Sequence, residues 1–269
     1  MRFTEKKERL NEIVAASENP VVAYSGGVDS SLVTALVRAR HGDAAQIYSV
    51  ITPYMDEADI YFAAAAAKKN GWPVQWIRLN PLGAAEIARN SEDRCYHCKK
   101  RLFSAIKGKG EEQNGKTFLE GSNSDDTAVF RPGRRALAEM GFVSPLAEAG
   151  LTKAEIRRFA AELGLDAAER PSKPCLLTRF PYDLPTPVTE AMIERVKEGE
   201  HQLKAYLNDN FRLRWVSETE ARLEVSDLDR DILTLGGKTI LDKIPFAAVT
   251  VDSEPFQSGS FDRKKKERS

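Results

Sequence analysis

The strongest constraint on this chain is an abrupt change from an apolar segment to a glycine turn and then to a helical pattern. Residues 21–24 are Val, Val, Ala and Tyr, and the turn Ser25-Gly26-Gly27 leads into a helix-forming segment at 29–40. Glycines let a ligand approach the backbone closely, and the first N–H groups of a helix have no intrahelical acceptor and attract anions. The pattern therefore predicts a phosphate-binding corner between a buried strand and a helix.

This corner differs from the common P-loop. It lacks the Gly-x-x-x-x-Gly-Lys-[Ser/Thr] spacing, so the motif itself places no lysine on a terminal phosphate. That difference favours a nucleotide chemistry other than γ-phosphate hydrolysis. A corner with a purely structural role is the weaker interpretation, because two serines and an aspartate beside paired glycines gain little from packing.

The charge balance and the absence of long apolar runs bear on whether this protein binds nucleic acid or a membrane. Among 269 residues, Lys+Arg and Asp+Glu both number 40, and this balance argues against broad capture of nucleic acid. We find no signal peptide and no apolar run long enough to cross a membrane, so we expect a cytoplasmic protein without a membrane partner. The sequence leaves the oligomeric state open, a homo-oligomer included.

Apolar runs alternate with helical patterns in the first part of the chain. We predict strands at 21–24, 46–51, 74–79 and 117–120, and helices at 4–16, 29–40, 56–69, 92–107 and 152–163. This order indicates an α/β fold with a doubly wound parallel sheet, which binds ligands at the carboxyl ends of its strands. Gly121 follows the fourth strand as the glycine turn follows the first, so we expect both at one pocket.

A proline-rich stretch marks a boundary. Residues 171–187 contain five prolines and cannot form a regular helix. We therefore predict a domain at 1–170 that contains the glycine corner at residues 25–30, which we call the phosphate loop. A linker at 171–187 that carries Cys175 follows this domain. Beyond it we predict a smaller C-terminal α+β domain at 188–258 and a basic tail at 259–269, which we expect to be disordered. Within the smaller domain we expect a helix at 188–206 and strands at 211–216, 221–225 and 244–251.

The three cysteines carry a second signal. Their number is odd and too small for a disulfide framework, which favours reduced thiols with a chemical role. Cys95 and Cys98 lie at i and i+3 on one face of a predicted helix, and Cys175 is distant in sequence. Three thiolates suit an iron–sulfur cluster with one open iron, and this is the interpretation that we favour. Zinc, metal-free thiol or sulfur-relay chemistry, and a structural role remain as alternatives.

The chain resembles a known family at these motifs. The glycine corner is similar to the PP-loop of ATP pyrophosphatases, and the whole chain resembles the LarE family of ATP-dependent sulfur transferases, which act in assembly of the nickel-pincer nucleotide cofactor. The segments that carry the likeness are Ser25-Gly26-Gly27-Val28-Asp29-Ser30, Asp93-Arg94-Cys95-Tyr96-His97-Cys98-Lys99-Lys100, Glu120-Gly121-Ser122-Asn123, Arg131-Pro132-Gly133, Pro174-Cys175-Leu176-Leu177-Thr178-Arg179-Phe180-Pro181-Tyr182, Arg212-Leu213-Arg214 and Ser258-Gly259. The Cys-Leu-Leu-Thr-Arg-Phe-Pro block makes the likeness specific to this family.

The resemblance implies a HUP-like fold of the adenine nucleotide alpha hydrolase type and a two-step reaction. ATP adenylates a carboxylate of a pyridinium mononucleotide and releases pyrophosphate, and sulfur then replaces AMP to leave a thiocarboxylate. In family members with a single cysteine, the residue that matches Cys175 gives up its own sulfur. Members with two additional cysteines are associated with a cluster that carries a transferable sulfide, so we expect a [4Fe-4S] cluster on Cys95, Cys98 and Cys175 and favour the cluster as the sulfur source.

The nucleotide site is expected at the glycine corner. The backbone of Gly26 and Gly27, together with the Ser25 and Ser30 hydroxyls, should hold the pyrophosphate part of ATP. Asp29 should position Mg²⁺. Gly121 is expected beside the same nucleotide.

The substrate phosphate site is expected at basic residues. Arg212 and Arg214 alternate on a predicted strand and so project from one face, where two guanidiniums could grip a phosphate. Arg179 and Lys100 lie close in sequence to cysteines and are further candidates. Exposed cations without a ligand are the alternative for all four.

The sequence departs from the family at two places. Ala128-Val129-Phe130 precedes Arg-Pro-Gly where family members carry an acidic residue and a tyrosine, and Gln257 stands where an arginine is frequent. These changes bear on substrate contacts and leave the phosphate loop and the cysteines intact. Two rival functions remain open on sequence alone: a PP-loop tRNA thiolase, which would be expected to carry a basic RNA-binding domain, and a non-enzymatic nucleotide sensor.

Overall fold

The structure, a computed structural model, describes residues 1–128, 132–171, 173–208 and 211–252. It divides into two compact units. The first consists of Met1–Ile87 and Asp93–Lys173, and the second of Ala88–Glu92 and the chain from Pro174 onward. None of the helices in the described ranges combines the length and the apolar character needed to cross a membrane.

The predicted helices and strands of this part of the chain are present in the predicted order, and three helices at 85–88, 132–139 and 145–148 were not predicted. The helices are α1 (Phe3–Ala15), α2 (Val28–His41), α3 (Glu57–Lys69), α4 (Ala85–Ala88), α5 (Arg94–Glu112), α6 (Pro132–Glu139), α7 (Pro145–Glu148) and α8 (Lys153–Glu162). The strands are β1 (Pro20–Ala23), β2 (Gln46–Ile51), β3 (Val74–Arg78) and β4 (Thr117–Leu119). They form a parallel sheet in the order β3-β2-β1-β4.

Side chains that alternate along β1 pack into two separate hydrophobic cores. Val22 packs in a cluster with Leu32 of α2 and Ile156 of α8, whereas Val21 packs with Ile106 of α5 and with other side chains on the opposite face. Successive strand residues point to opposite faces of a sheet, so each valine buries its side chain under a different layer of helices. This arrangement confirms the predicted α/β class with helices on both faces.

The second unit is a smaller α+β structure. It contains α9 (Glu190–Leu203), β5 (Arg212–Trp215), β6 (Glu220–Glu224), α10 (Asp227–Leu241) and β7 (Ala248–Val251). The sheet order is β5-β6-β7, with β5 and β6 antiparallel and β6 and β7 parallel. Its core includes aromatic rings in contact: Trp215 lies 5.7 Å from Phe180 and 5.6 Å from Phe246 between ring centroids.

Several expectations need correction or fall outside the structure. The helix α10 was not predicted, and the last strand begins at Ala248 rather than at residue 244. Trp76, which the apolar run at 74–79 predicts as a core side chain, is not in the core, because it lies on the edge strand β3 with 37% of its surface exposed. The predicted basic tail at 259–269, residues 253–258 and the departures at Val129, Phe130 and Gln257 lie outside the described residues.

Candidate active site

The glycine corner forms a tight turn between β1 and α2. Gly26 has φ +79°, and a Cβ at this position would lie 2.5 Å from the Cβ of Ala63. A side chain is therefore excluded by both the backbone conformation and the space. α2 begins at Val28 immediately after the turn, so its first N–H groups are directed toward the corner.

Two serine hydroxyls hold the turn in shape. The Ser30 hydroxyl donates to the Gly27 carbonyl at 3.1 Å, and the Ser25 backbone N–H donates to the Ser30 oxygen at 3.1 Å. The Ser25 and Ser30 hydroxyl oxygens lie 3.0 Å apart. These contacts fix the loop without a ligand, so its N–H groups are preorganised for an anion.

Gly121 lies against the start of α2. A Cβ on Gly121 would lie 2.9 Å from the backbone nitrogen of Ser30 and 3.2 Å from the carbonyl carbon of Asp29. Both neighbours are backbone atoms, which cannot move aside as a flexible side chain can. The structure thus brings the ends of β1 and β4 together, and Gly121 is the residue that permits their close approach.

Asp29 occupies the first turn of α2, beside the loop. Its Oδ2 atom forms an ion pair with the Lys153 ammonium, and its Oδ1 atom is buried with no hydrogen-bond partner among the described residues. Burial raises the pKa of Asp29, while the hydrogen bond from Lys153 opposes that rise. A buried carboxylate oxygen that has no donor fits the coordination preference of Mg²⁺ for oxygen ligands.

Lys153 is a residue of this site that the sequence analysis missed. It is the first residue of α8, and 124 positions separate it from Asp29. Its own backbone N–H donates to Asp125 Oδ2 at 2.8 Å. The sequence indicates only that a helix begins at this point, because Thr152 is suited to the N-cap position and Glu155 follows three positions later.

Cys95 and Cys98 lie in the first two turns of α5. Cys95 is exposed, and its Sγ accepts a hydrogen bond from Arg94 Nη2 at 3.2 Å. Cys98 is half-buried, and its Sγ lies 2.9 Å from the hydroxyl oxygen of Tyr54. Both thiols therefore have polar neighbours in the first unit.

The three predicted cluster ligands are divided between the units. Cys95 and Cys98 belong to the first unit, and Cys175 belongs to the second. Within the described ranges, no three His, Cys, Asp or Glu side chains are placed together to hold a metal ion. An iron–sulfur cluster on these three thiolates would need ligands from both units, and it stays a prediction.

Lys100 lies on α5 in the first unit. Its ammonium pairs with Glu139 of α6 at 2.8 Å and lies 5.7 Å from the centre of the Tyr96 ring. The hydrogen bond to Glu139 raises the pKa of Lys100. Lys100, which we predicted to bind the substrate phosphate, thus has a carboxylate partner. It belongs to the first unit, whereas the three predicted arginines belong to the second.

Arg179, Arg212 and Arg214 form a cluster in the second unit, which we call the arginine cluster. Arg179 is 5% exposed and pairs with Glu200 through two contacts, at 2.6 and 3.2 Å. Arg214 pairs with Glu224 at 2.6 Å. The sequence analysis predicted the three arginines and missed both carboxylates.

The electrostatics of the arginine cluster favour an anion. Burial and the nearby guanidiniums of Arg179 and Arg214 lower the pKa of Arg212 to about 10. Three guanidiniums and two carboxylates leave this group with an excess of positive charge. A bound phosphate would relieve the repulsion and supply acceptors for the guanidiniums.

Cys175 is tied to the arginine cluster by one short turn. It precedes a 3₁₀ turn at Leu176–Arg179, in which Thr178 donates its backbone N–H to the Cys175 carbonyl at 2.9 Å. The Thr178 carbonyl accepts a hydrogen bond from Arg214, and its hydroxyl oxygen accepts one from Arg179 at 3.0 Å. The exposed Cys175 thiol is thus carried by the same turn that anchors two of the arginines.

The chain is similar to known proteins. The asparagine synthase family model matches residues 7–104, a range that contains the phosphate loop and Cys95 and Cys98. The chain is 30% identical to an uncharacterized protein of Synechocystis sp., over 96% of this chain and 97% of the relative. It is 31% identical to an uncharacterized protein of Methanocaldococcus jannaschii, over 72% of this chain and 73% of the relative.

A third relative has a described activity in its name. The chain is 29% identical to the pyridinium-3,5-bisthiocarboxylic acid mononucleotide synthase of Lactiplantibacillus plantarum, over 94% of this chain and 92% of the relative. Together with the phosphate loop and the ordered motifs, these likenesses identify a PP-loop enzyme. The chain belongs to the LarE family.

Proposed function

We propose that this protein is an ATP-dependent sulfur transferase that converts a carboxylate of a pyridinium mononucleotide to a thiocarboxylate. In the first step a carboxylate oxygen attacks the α-phosphorus of ATP, the bond to the β-phosphate oxygen breaks, and pyrophosphate leaves. In the second step a sulfur nucleophile attacks the acyl carbon, and AMP leaves with the oxygen that joined it to the acyl group. With Cys175 as the nucleophile the product is first a thioester, and the thiocarboxylate is released when the Cβ–Sγ bond of Cys175 breaks and its Cα loses a proton, which leaves dehydroalanine in the chain. Adenylation is needed because a free carboxylate is a poor electrophile.

The first unit is proposed to hold ATP. The Ser25 and Ser30 hydroxyls and the N–H groups of the Gly26-Gly27 turn would bind the pyrophosphate portion, which suits their arrangement at the start of α2. Asp29 would ligate Mg²⁺ through its unpartnered Oδ1. Bound there, Mg²⁺ would neutralise negative charge on the phosphate oxygens.

The second unit is proposed to hold the phosphate of the mononucleotide. Arg212 is the residue on which we place the greatest weight, because burial and the neighbouring guanidiniums of Arg179 and Arg214 leave its positive charge poorly compensated. The crowded guanidiniums supply charge, and their fixed partners supply orientation. Guanidinium forks match the geometry of phosphate oxygens.

One observation carries the proposal: the exposed thiol of Cys175 lies on the turn whose Thr178 binds Arg179 and Arg214. A sulfur atom and a phosphate-binding group therefore belong to one local structure. We propose that Cys175 takes part in the sulfur transfer. The three-cysteine cluster stays a prediction, and no step proposed here passes through it.

The direct test is anaerobic incubation of the protein with ATP, Mg²⁺ and a dicarboxylated pyridinium mononucleotide, followed by mass analysis of the small molecules and of the protein. We expect AMP, pyrophosphate and a product in which sulfur has replaced one oxygen. Loss of one sulfur from Cys175 in each chain that turns over would assign the sulfur to that residue. An unmodified Cys175 after turnover would assign it to another donor.

Two controls sharpen this test. Protein prepared with and without iron and sulfide separates the cluster from the thiol as sulfur source, and iron analysis of anaerobic protein tests whether a cluster is present. Cys175→Ser should abolish thiocarboxylate formation. AMP formation without any sulfur-containing product in the unaltered protein, with or without iron, would contradict the proposed activity.

A further inference from the structure

The ion pair between Lys153 and Asp29 is placed where a nucleotide would disturb it. Lys153 neutralises Oδ2 of the carboxylate whose other oxygen is unpartnered and adjoins the phosphate loop. Side chains of both residues are partly accessible, with 30% of Lys153 and 22% of Asp29 exposed. A ligand that arrives at the loop can therefore reach the pair.

Two cations compete for Asp29. A divalent ion on Oδ1 would place two positive charges close to the Lys153 ammonium, which weakens the existing pair. The ATP phosphates add negative charge at the start of α2, directly beside the same carboxylate. A lysine ammonium on a flexible four-carbon stem can move between such partners without a change in the backbone.

The backbone of Lys153 is held independently of its side chain. Thr152 and Glu155 form a capping box at the start of α8, in which the Glu155 carboxylate accepts the Thr152 N–H at 2.9 Å. Lys6 of α1 pairs with Glu155 at 2.8 Å. The position of the helix start therefore does not depend on the contact between Lys153 and Asp29.

From this arrangement we infer that Lys153 is a nucleotide-binding residue that exchanges Asp29 for a phosphate oxygen of ATP when Mg²⁺ binds Asp29. The exchange gives this site the cationic phosphate contact that its loop motif lacks, from a residue distant in sequence. No covalent bond changes in this step. The inference rests on the proposed binding of ATP at the phosphate loop.

The test measures two affinities by titration calorimetry, one for Mg²⁺ alone and one for the Mg²⁺ complex of an ATP analogue with a methylene bridge between the α- and β-phosphates. In Lys153→Met we expect the analogue to bind about 10–100-fold more weakly, the range for loss of a hydrogen bond to a charged group. Mg²⁺ alone should bind more tightly, since the ammonium no longer competes for Asp29. Lys153→Arg should recover part of the analogue affinity.

Lys7→Met is a matched control. Lys7 has 29% of its side chain exposed, close to the value for Lys153, and it pairs with Glu162 at the opposite end of α8. We expect this variant to leave both affinities unchanged. Thermal unfolding of each variant checks that the fold is retained.

The outcomes separate the two proposals. Analogue binding that is equal in the unaltered protein and in Lys153→Met would overturn this inference and leave the proposed function standing. Parallel losses of Mg²⁺ and analogue affinity in Lys153→Met would also overturn it, because they indicate damage to the site and not an exchange. No analogue binding by the unaltered protein would overturn the proposed function and this inference with it.

Discussion

The phosphate loop and the arginine cluster, both of which we propose as phosphate sites, differ in how they are built. The loop is shaped by glycine backbone, two hydroxyls and a helix start, and its one carboxylate is balanced by Lys153. The arginine cluster relies on three guanidiniums held by two carboxylates. The first site is sensitive to added volume, and the second is sensitive to lost charge.

Within the arginine cluster, we expect Arg179 to have a structural role and Arg212 a binding role. Arg179 is almost fully buried and forms two hydrogen bonds to Glu200, whereas Arg212 lies close to two other guanidiniums. Removal of Arg179 should therefore damage the fold. Removal of Arg212 should damage binding more than stability.

The largest expected effect is on stability. Arg179→Met removes a buried guanidinium from the half-buried Glu200 carboxylate, and loss of one partner of a buried pair lowers the free energy of unfolding by about 3–5 kcal/mol. Urea unfolding followed by fluorescence measures this, with Trp215 as the reporter in the second unit. Arg195→Met is the control, because its pair with Glu218 is exposed and should contribute less than about 1 kcal/mol. Equal effects of the two substitutions would remove the structural role from Arg179.

The next effect tests the volume limit of the phosphate loop. Gly121→Val places side-chain atoms against the backbone of Ser30 and Asp29, and displacement of the loop should lower kcat/KM for pyrophosphate formation by about 100-fold. Gly108→Ala on α5 is the control, since a Cβ there meets nothing within 4 Å. Retained activity in Gly121→Val would show that the close approach of β4 to α2 has no part in ATP binding.

A smaller effect tests the charge of the arginine cluster. Arg212→Gln should raise the KM for the mononucleotide by about 10–100-fold, the range for a lost charged hydrogen bond, with little change in kcat. The free energy of unfolding should fall less than in Arg179→Met, because repulsion of Arg212 by Arg179 and Arg214 offsets part of its attraction to Glu200 and Glu224. Steady-state kinetics and urea unfolding check both parts. A large loss of stability with an unchanged KM would reverse the roles assigned to Arg179 and Arg212.

The smallest effect concerns alkaline pH. Arg212 carries its proton below its pKa of about 10 and loses it as the pH rises through that value, so mononucleotide affinity should weaken there. The substrate phosphate is already fully ionised in this range, because its second pKa is about 6. KM measured between about pH 8 and 10.5 should rise in the unaltered protein and stay flat in Arg212→Gln. A rise of the same size in both proteins would assign the titration to another group.

The sequence predicted what is local or periodic. The phosphate loop is a contiguous strand, turn and helix, and Arg212 and Arg214 follow from alternation along a strand. Contacts between distant segments were missed: Lys153 reaches Asp29 across 124 positions, and Arg179 finds Glu200 on α9. Contacts between residues so far apart produce no recurring spacing in a single sequence, so neither could be predicted.

The helix α10 was missed for a different reason. Its apolar residues do not follow one buried face, because Leu228 and Leu235 are exposed while Leu233 and Ile240 are buried. Gly236 and Gly237 lie inside the helix and lower its intrinsic propensity. Packing in the second unit therefore decides a helix that local preference does not favour.

The central claim is that ATP adenylates a carboxylate of the mononucleotide that the arginine cluster holds. Pyrophosphate release, measured against mononucleotide concentration in the unaltered protein and in Arg212→Gln, tests it most directly. The account predicts release only when the mononucleotide is present, with half-saturation shifted to higher concentration in Arg212→Gln. Release without the mononucleotide, or identical saturation curves for the two proteins, would contradict it.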